Sequence, residues 1–368
     1  MRIPTKYVIT FALTGLLVGC GRSPEPLANQ SSPAPTPAAT QSVATQLDAK
    51  EMIKSANAIF KPLPSHMGKE AASAEMVELG KMLYYDKRLS KDGTISCNSC
   101  HNLKSYGVDG EATSLGVGGQ RGGRNAPTVY NAAMHIAQFW DGRSPDVEDQ
   151  ASGPMLNPVE MAMSKEIVEK RLRAIDGYKE RFAAAFPGEE ESVSIDNAAS
   201  AIAAFERGLV TPGAFDKFMN GDPTALNPEQ LDGYKLFVDV GCASCHNGPA
   251  VGGRTYQKLG VKKPYHSEDL GRFEVTKKET DKMKFKVPSL RNIAQTGPYF
   301  HDGSVTTLSE SISLMAEHQL GKDLSQDEVA KIEAFLQTLT GKIDENYISE
   351  PELPPGKIGF KDGRTATL

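Results

Sequence analysis

The pattern Cys97-Asn98-Ser99-Cys100-His101 recurs as Cys242-Ala243-Ser244-Cys245-His246, and no other feature of this 368-residue chain limits its fold so severely. Two thiols two residues apart can each join a vinyl group of one porphyrin, and the next residue offers an imidazole to the iron. Each copy therefore reads as a covalent haem-attachment site. Two Cys-x-x-Cys pairs could instead hold zinc tetrahedrally, but a Cys₄ site has no use for the His that directly follows each pair. The fifth cysteine, Cys20, stands far from both pairs and leaves no thiol for a disulfide.

A hydrophobic content of 39% with 24% charged residues is that of a soluble globular chain, and the length suits about two domains. The net charge of -5 argues against a nucleic-acid partner. At the N-terminus, Arg2 and Lys6 precede an apolar run from Tyr7 to Val18, too short to span a bilayer but suited to a secretory signal. The run ends in Leu17-Val18-Gly19-Cys20, which resembles a lipoprotein signal with Cys20 as the lipidated first residue; an ordinary signal cut nearby is the alternative. Either exports the protein, so the expected location is periplasmic, with membrane contact through a lipid anchor only.

Residues 23–46 are rich in Pro, Ala, Ser, Thr and Gln and offer little to bury, so 1–19 reads as signal and 20–47 as a flexible tether, with folding expected to begin near Asp48. Apolar spacing predicts helices over Glu51 to Phe60 and over Ala74 to Tyr85, the second leading into the first haem motif. The Gly-rich stretch from Gly107 to Gly123 reads as loop and as a candidate wall of the first haem site. Amphipathic helices are expected after Ser164 and Ser194 as N-caps, and Thr211-Pro212-Gly213 marks a domain boundary. A helix from Pro228, capped by Asn227, leads into the second haem motif as its counterpart leads into the first. Thr307-x-x-Glu310 and Ser325-x-x-Glu328 open two more helices as capping boxes.

The two halves look like copies of one unit. Leu79-Gly80-x-x-Leu83-Tyr84 matches Gly233-x-x-Leu236-Phe237, and Phe139-Trp140-Asp141-Gly142 matches Phe300-His301-Asp302-Gly303. With strand signals sparse, the expected fold is all-α: two cytochrome c-like domains at 48–212 and 213–345, each with one haem, and a tail at 346–368 lying over the surface.

The motif series resembles the bacterial di-haem cytochrome c peroxidases, a family that includes the MauG-like oxidases, from about Asp48 to Gly341. It rests on the two haem motifs, Arg124-Asn125-x-Pro127-Thr128, Phe139-Trp140-Asp141-Gly142-Arg143, Gly153-Pro154 with Glu160-Met161, and Pro298-Tyr299-Phe300-His301-Asp302-Gly303, in that order. The resemblance implies two covalently bound haem c groups and reduction of hydrogen peroxide to water. The electrons would come from a small periplasmic cytochrome c or cupredoxin. It makes the His101 haem peroxidatic and the His246 haem the electron entry, with Met315 as the second axial ligand of the latter. Of the other methionines, Met283 sits among charges in what reads as a solvated turn.

The same resemblance gives Glu160 the acid-base role, Gln150 the task of orienting the pocket, and Trp140 a place between the haems. It also implies a calcium ion held by Asn125, Thr296 and Pro298, a set of oxygen donors that suits that ion, and it allows a homodimer.

One departure bears on mechanism. Val117 stands where many members carry a His that caps the resting peroxidatic iron, and Val cannot ligate. Among the remaining histidines, His135 is the one to test as a substitute, and without one the peroxidatic haem is expected to be open at rest. Two rivals remain: a MauG-like oxidase that modifies a partner protein, and a di-haem carrier without catalysis. Met315 argues against the first, because the MauG-like enzymes that make tryptophan-derived cofactors carry Tyr there.

Overall fold

Two helix crossings organise the molecule, and a glycine sits at each. In the computed structural model, the Ala74–Tyr85 helix crosses the Ile195–Glu206 helix at Gly80, where an added Cβ would run into the Ala201 carbonyl oxygen. The Pro228–Val240 helix crosses the Gln326–Gln337 helix at Gly233, where a Cβ would strike the Lys331 carbonyl. Only glycine lets the two backbones approach so closely.

The structure describes residues 38–68, 72–356, 358–359 and 365–366. The expected signal peptide, Cys20 and most of the expected tether lie outside them. The first helix spans Ala38–Ile59, so it opens about ten residues before the start expected near Asp48. Alanines, glutamines and a leucine in that segment are good helix formers, and a polar composition did not preclude a helix there.

The expected caps form, except that Thr307 caps alone, without the reciprocal bond from Glu310 that a capping box needs. Ser164 accepts from the Ile167 N–H, Ser194 from Asn197 and Thr307 from Glu310, while Ser325 and Glu328 bond reciprocally. The chain is mostly helical, as its patterning implies, with little strand. Tyr256–Lys258 pairs antiparallel with Lys284–Lys286, and Ile358–Gly359 with Thr365–Ala366. The two Phe-x-Asp-Gly turns match in backbone as well as in sequence: Phe139 and Phe300 are both left-handed, at φ 66° and 68°. Each turn is closed by a single bridge, Gln138 with Ser144 and Tyr299 with Val305.

Two apolar clusters form the core. One gathers Leu83, Tyr84, Leu103, Tyr130, Met155, Phe182 and Phe205 around the first crossing. The other gathers Phe215, Phe218, Tyr234, Phe237, Phe335 and Leu339 around the second. Burying each such side chain contributes about 1.5–3 kcal/mol over leaving it exposed.

The chain ends cross over. Met52 and Ala56 of the first helix and Phe60 just after it pack in the second cluster, whereas Ile343 and Ile348 of the C-terminal segment pack in the first. Buried ion pairs pin both crossovers. Asp216 takes the Arg291 guanidinium and accepts from the Leu63 N–H, while Arg88, paired with Asp86, donates to the Pro354 carbonyl. No described helix is long and apolar enough to cross a membrane.

Replacing Gly80 or Gly233 by Ala forces the crossing backbones apart and is expected to lower stability by about 1–3 kcal/mol in denaturant titrations. Gly123→Ala, at a position where a Cβ meets nothing, is expected to stay within about 0.5 kcal/mol of the parent.

Candidate active site at the two Cys-x-x-Cys-His motifs

Both motifs are single tight turns at the end of a helical approach. Cys97–Cys100 forms one helical turn that Ser96 opens, its N–H bonded to Ser99 Oγ at 3.0 Å. Cys242–Ser244 forms a 3₁₀ turn after Gly241, whose φ of 109° ends the preceding helix. In each, the His N–H donates to the carbonyl of the first Cys, at 2.9 Å for His101 and 3.0 Å for His246.

The two Cys pairs do not converge: among the described residues no three His, Cys, Asp or Glu side chains form a metal-binding group. Burial raises the Cys97 thiol and pushes that of Cys242 up to about 11. Nδ1 of both His101 and His246 is buried without a hydrogen-bond partner, and burial lowers both imidazoles, His246 to about 4. Neutral imidazoles are the form that ligates iron. The donor set fits a haem at each motif.

A large, mostly apolar cavity opens at the second motif. Cys242, Cys245 and His246 line it together with Met315, the last residue of the Leu308–Met315 helix. That helix runs on into a π turn, Ala316–Leu320, a distortion that often marks functional sites. Met283 does not line the cavity; it occupies a left-handed turn at φ 59°.

Asn125, Trp140, Thr296 and Pro298, which include the residues expected to hold calcium, line the same cavity. Asn125 Nδ2 donates to the Glu111 carbonyl, which leaves its Oδ1 as the acceptor. Trp140 Nε1 donates to the Asn125 carbonyl at 2.9 Å, and its ring meets that of His301, its counterpart in the other half, edge to face at 6.4 Å.

Glu160 is half-buried in the turn after the Val147–Leu156 helix and within electrostatic reach of both Cys97 and Cys100. Burial raises its carboxyl above the usual value, against the Arg143 charge and a 2.7 Å bond from Asn157 Nδ2. Arg143 also stacks on Phe139 at 3.4 Å. Gln150 lies on the Val147–Leu156 helix one turn before Gly153, which packs beside that Phe139 ring.

The Gly-rich loop is seated on the Glu160 turn. The Val117 N–H donates to the Glu160 carbonyl at 2.8 Å, and a Cβ on Gly116 would strike the Val159 carbonyl. Val117 itself is buried. His135 is not beside this loop. Its ring packs on Gly253 and its Nδ1 meets Lys286 Nζ at 3.1 Å in the cavity of the second motif, so it is no substitute cap for the first. Its sequence position before Trp140 concealed a turn that carries the segment across to the other half.

Several charged residues went unread in the sequence. Arg124 bridges Asp141 and Asp269 at 2.6 Å each, tying the first Phe-x-Asp-Gly turn to the segment that carries Asp269. Glu206, buried in the Ile195–Glu206 helix and electrostatically coupled to Cys97, has its carboxyl pushed up to about 8 by burial, with Glu148 adding and Arg207 opposing. A readable signal existed for a second duplicated segment: Pro127-Thr128-Val129-Tyr130-Asn131 repeats as Pro288-Ser289-Leu290-Arg291-Asn292.

A family model described as di-haem cytochrome c peroxidase matches residues 74–224. The cytochrome c551 peroxidase of Nitrosomonas europaea is 53% identical over 286 residues, covering 77% of this chain and 84% of that protein. The cytochrome c551 peroxidase of Pseudomonas aeruginosa is 46% identical over 308 residues, covering 81% and 88%. The methylamine utilization protein MauG of Methylorubrum extorquens is 35% identical over 294 residues, covering 76% and 82%. Among solved structures, a MauG-like protein associated with microbial copper homeostasis superimposes with a TM-score of 0.71 at 32% identity, covering 79% of this chain and 97% of that one.

Exchanging Cys242 and Cys245 together for Ser is expected to halve the haem absorbance per chain that survives denaturation, and the Cys97 and Cys100 pair to do the same. An unchanged value for either pair would remove that motif from the site.

Proposed function

Because the chain belongs to the di-haem cytochrome c peroxidase family, we infer that it is a peroxidase that reduces hydrogen peroxide to water. The observation that carries the reading to particular residues is Glu160: a half-buried carboxyl with a raised pKa, facing the first motif beneath the seated Gly-rich loop. Its rivals, a partner-modifying oxidase and a non-catalytic carrier, are favoured by no feature of the site.

We assign one haem to Cys97, Cys100 and His101 in a domain at 48–212, and one to Cys242, Cys245 and His246 in a domain at 213–345. The first would supply the iron at which peroxide is reduced, and the second, which Met315 would help to hold, would supply the electrons. Together the two bound haems supply the electron-accepting iron and the reductive chemistry. Everything else falls to side chains. Breaking the O–O bond requires a proton to move from the inner oxygen to the outer one, and Glu160 is placed to take it and return it. Asn157 and Arg143 hold that carboxylate in position, and Gln150 orients the peroxide. Trp140, hydrogen-bonded to the Asn125 carbonyl between the halves, lies on the electron route. Asn125 with the Thr296 and Pro298 carbonyls holds calcium, waters completing the shell.

Val117 offers no ligand, so nothing in the Gly-rich loop would cap the first haem and no reductive activation would be needed. The donor is a small cytochrome c or cupredoxin. The enzyme works in the periplasm, tethered by a lipid on Cys20, and a homodimer is its proposed assembly.

Two measurements test this. Turnover of a reduced small cytochrome c by peroxide is expected to be equal whether the enzyme starts fully oxidised or with its second haem pre-reduced, whereas Val117→His is expected to turn over only after pre-reduction. Turnover of the parent only after pre-reduction would overturn the open-site assignment.

The second is a pH profile. Glu160 must be ionised to accept a proton, and burial raises its pKa, so activity is expected to fall as pH drops through a value above the ordinary carboxylate range. Glu160→Gln is expected to lose about 10²–10⁴ in rate together with this acid limb. Arg143→Gln removes the charge that favours the carboxylate and is expected to move the limb to higher pH.

A further inference from the structure

Buried cations elsewhere in this protein have carboxylate partners. Arg88 has Asp86, Arg291 has Asp216, and Arg124 has two aspartates. Lys286 is 6% exposed and forms no ion pair among the described residues. No Asp or Glu lines the cavity it faces. Its one polar neighbour is neutral in kind: Nζ meets His135 Nδ1 at 3.1 Å, and His135 Nε2 is itself buried without a partner. Burial pushes the Lys286 ammonium down to about 8 and, with the Lys286 charge, the His135 imidazole well below its ordinary value.

An isolated buried cation costs several kcal/mol unless an anion meets it. The fold nonetheless holds this one firmly. The Lys286 N–H donates to the Trp140 carbonyl at 2.8 Å, and the residue pairs with Tyr256 in the short antiparallel ladder. Gly252 and Gly253 hold the His246 and His135 rings side by side, since a Cβ on the first would touch His246 Nδ1 and one on the second would run into His135. The cation is therefore built into the wall of the cavity that contains Cys242, Cys245 and His246.

A haem has two vinyl groups, which the cysteines take, and two propionates, which carry the negative charge this wall lacks. We propose that Lys286, with His135 behind it, is the counter-ion of a propionate of the haem attached through Cys242 and Cys245. The assignment rests on the haem reading above. It gives the pair a function: a fixed positive charge beside a propionate favours the reduced haem, which carries one positive charge fewer, and so makes this site the better electron acceptor.

The test uses the holoenzyme and a spectroelectrochemical titration that resolves the two haems. Lys286→Met is expected to lower the equilibrium constant for reducing the second haem about tenfold, equivalent to about 59 mV for one electron. Lys286→Arg is expected to keep it within about threefold of the parent, and the first haem is expected to keep its potential in both. Two haems in Lys286→Met with the parent potential would overturn the proposal. Should that variant fail to assemble, Lys286→Gln is read by the same two outcomes. A parent protein carrying only one haem would overturn the haem reading as well, and haem content per chain reports this separately.

Discussion

The buried hydroxyl of Thr211 accepts a hydrogen bond from Asn131 Nδ2 and another from Asn292 Nδ2, both at 2.9 Å. These asparagines are the matching ends of the two duplicated Pro-to-Asn segments, and both adopt the left-handed conformation, at φ 62° and 60°. Asn131 also takes the Leu209 carbonyl and the Thr211 N–H; Asn292 takes the Leu339 carbonyl and the Gly341 N–H. Each therefore ties the loop after its haem motif to the end of the helix that crosses the motif's own approach helix. One threonine thus receives a hydrogen bond from the loop after each motif. Such a network contributes to stability only when every member is satisfied, and here each buried amide is.

The same near-symmetry explains why the duplicated turns diverge where they meet. Trp140 and His301 occupy equivalent positions and pack edge to face, so two copies of either residue would face each other across the junction. The tryptophan N–H points to the Asn125 carbonyl, and His301 Nε2 meets Ser267 Oγ at 2.9 Å. Arg124 lies across the same seam between Asp141 and Asp269. The two copies of the turn therefore differ where they touch, and each side chain takes a hydrogen-bond partner that its counterpart does not.

Legibility in the sequence followed the range of the physical signal. Cap residues act over three or four positions, so Ser164, Ser194, Asn227 and Ser325 announced their helices correctly. Gly80 and Gly233 were visible as a repeat, but the backbone contact that requires each depends on a helix about a hundred residues away. The two Cys-x-x-Cys-His motifs were legible because their signal lies in five consecutive residues. The helix opening at Ala38, the exchange of chain ends between the two cores and the position of His135 were not legible. Each is decided by where a segment travels in space, and local composition carries no record of that. Glu160 was found only through its resemblance to a family pattern; its own neighbours in sequence do not distinguish it from a surface acid.

Charge pairing separates scaffold from site in this molecule. Asp86 with Arg88 and Asp216 with Arg291 are buried and mutually neutralised, and they fasten chain ends to cores. Such pairs give little net stability, but losing one partner leaves an uncompensated charge at a cost of about 3–5 kcal/mol. Glu160, Glu206 and Lys286 are also withdrawn from water yet lack a full partner, and each is perturbed towards its neutral form. None of the three lies in the cores' interiors at random. Glu160 and Glu206 are coupled to Cys97 at the first motif, and Lys286 faces the second. The incompletely paired buried charges of this protein thus gather at its two Cys-x-x-Cys-His motifs, whereas the fully paired ones fasten its chain ends.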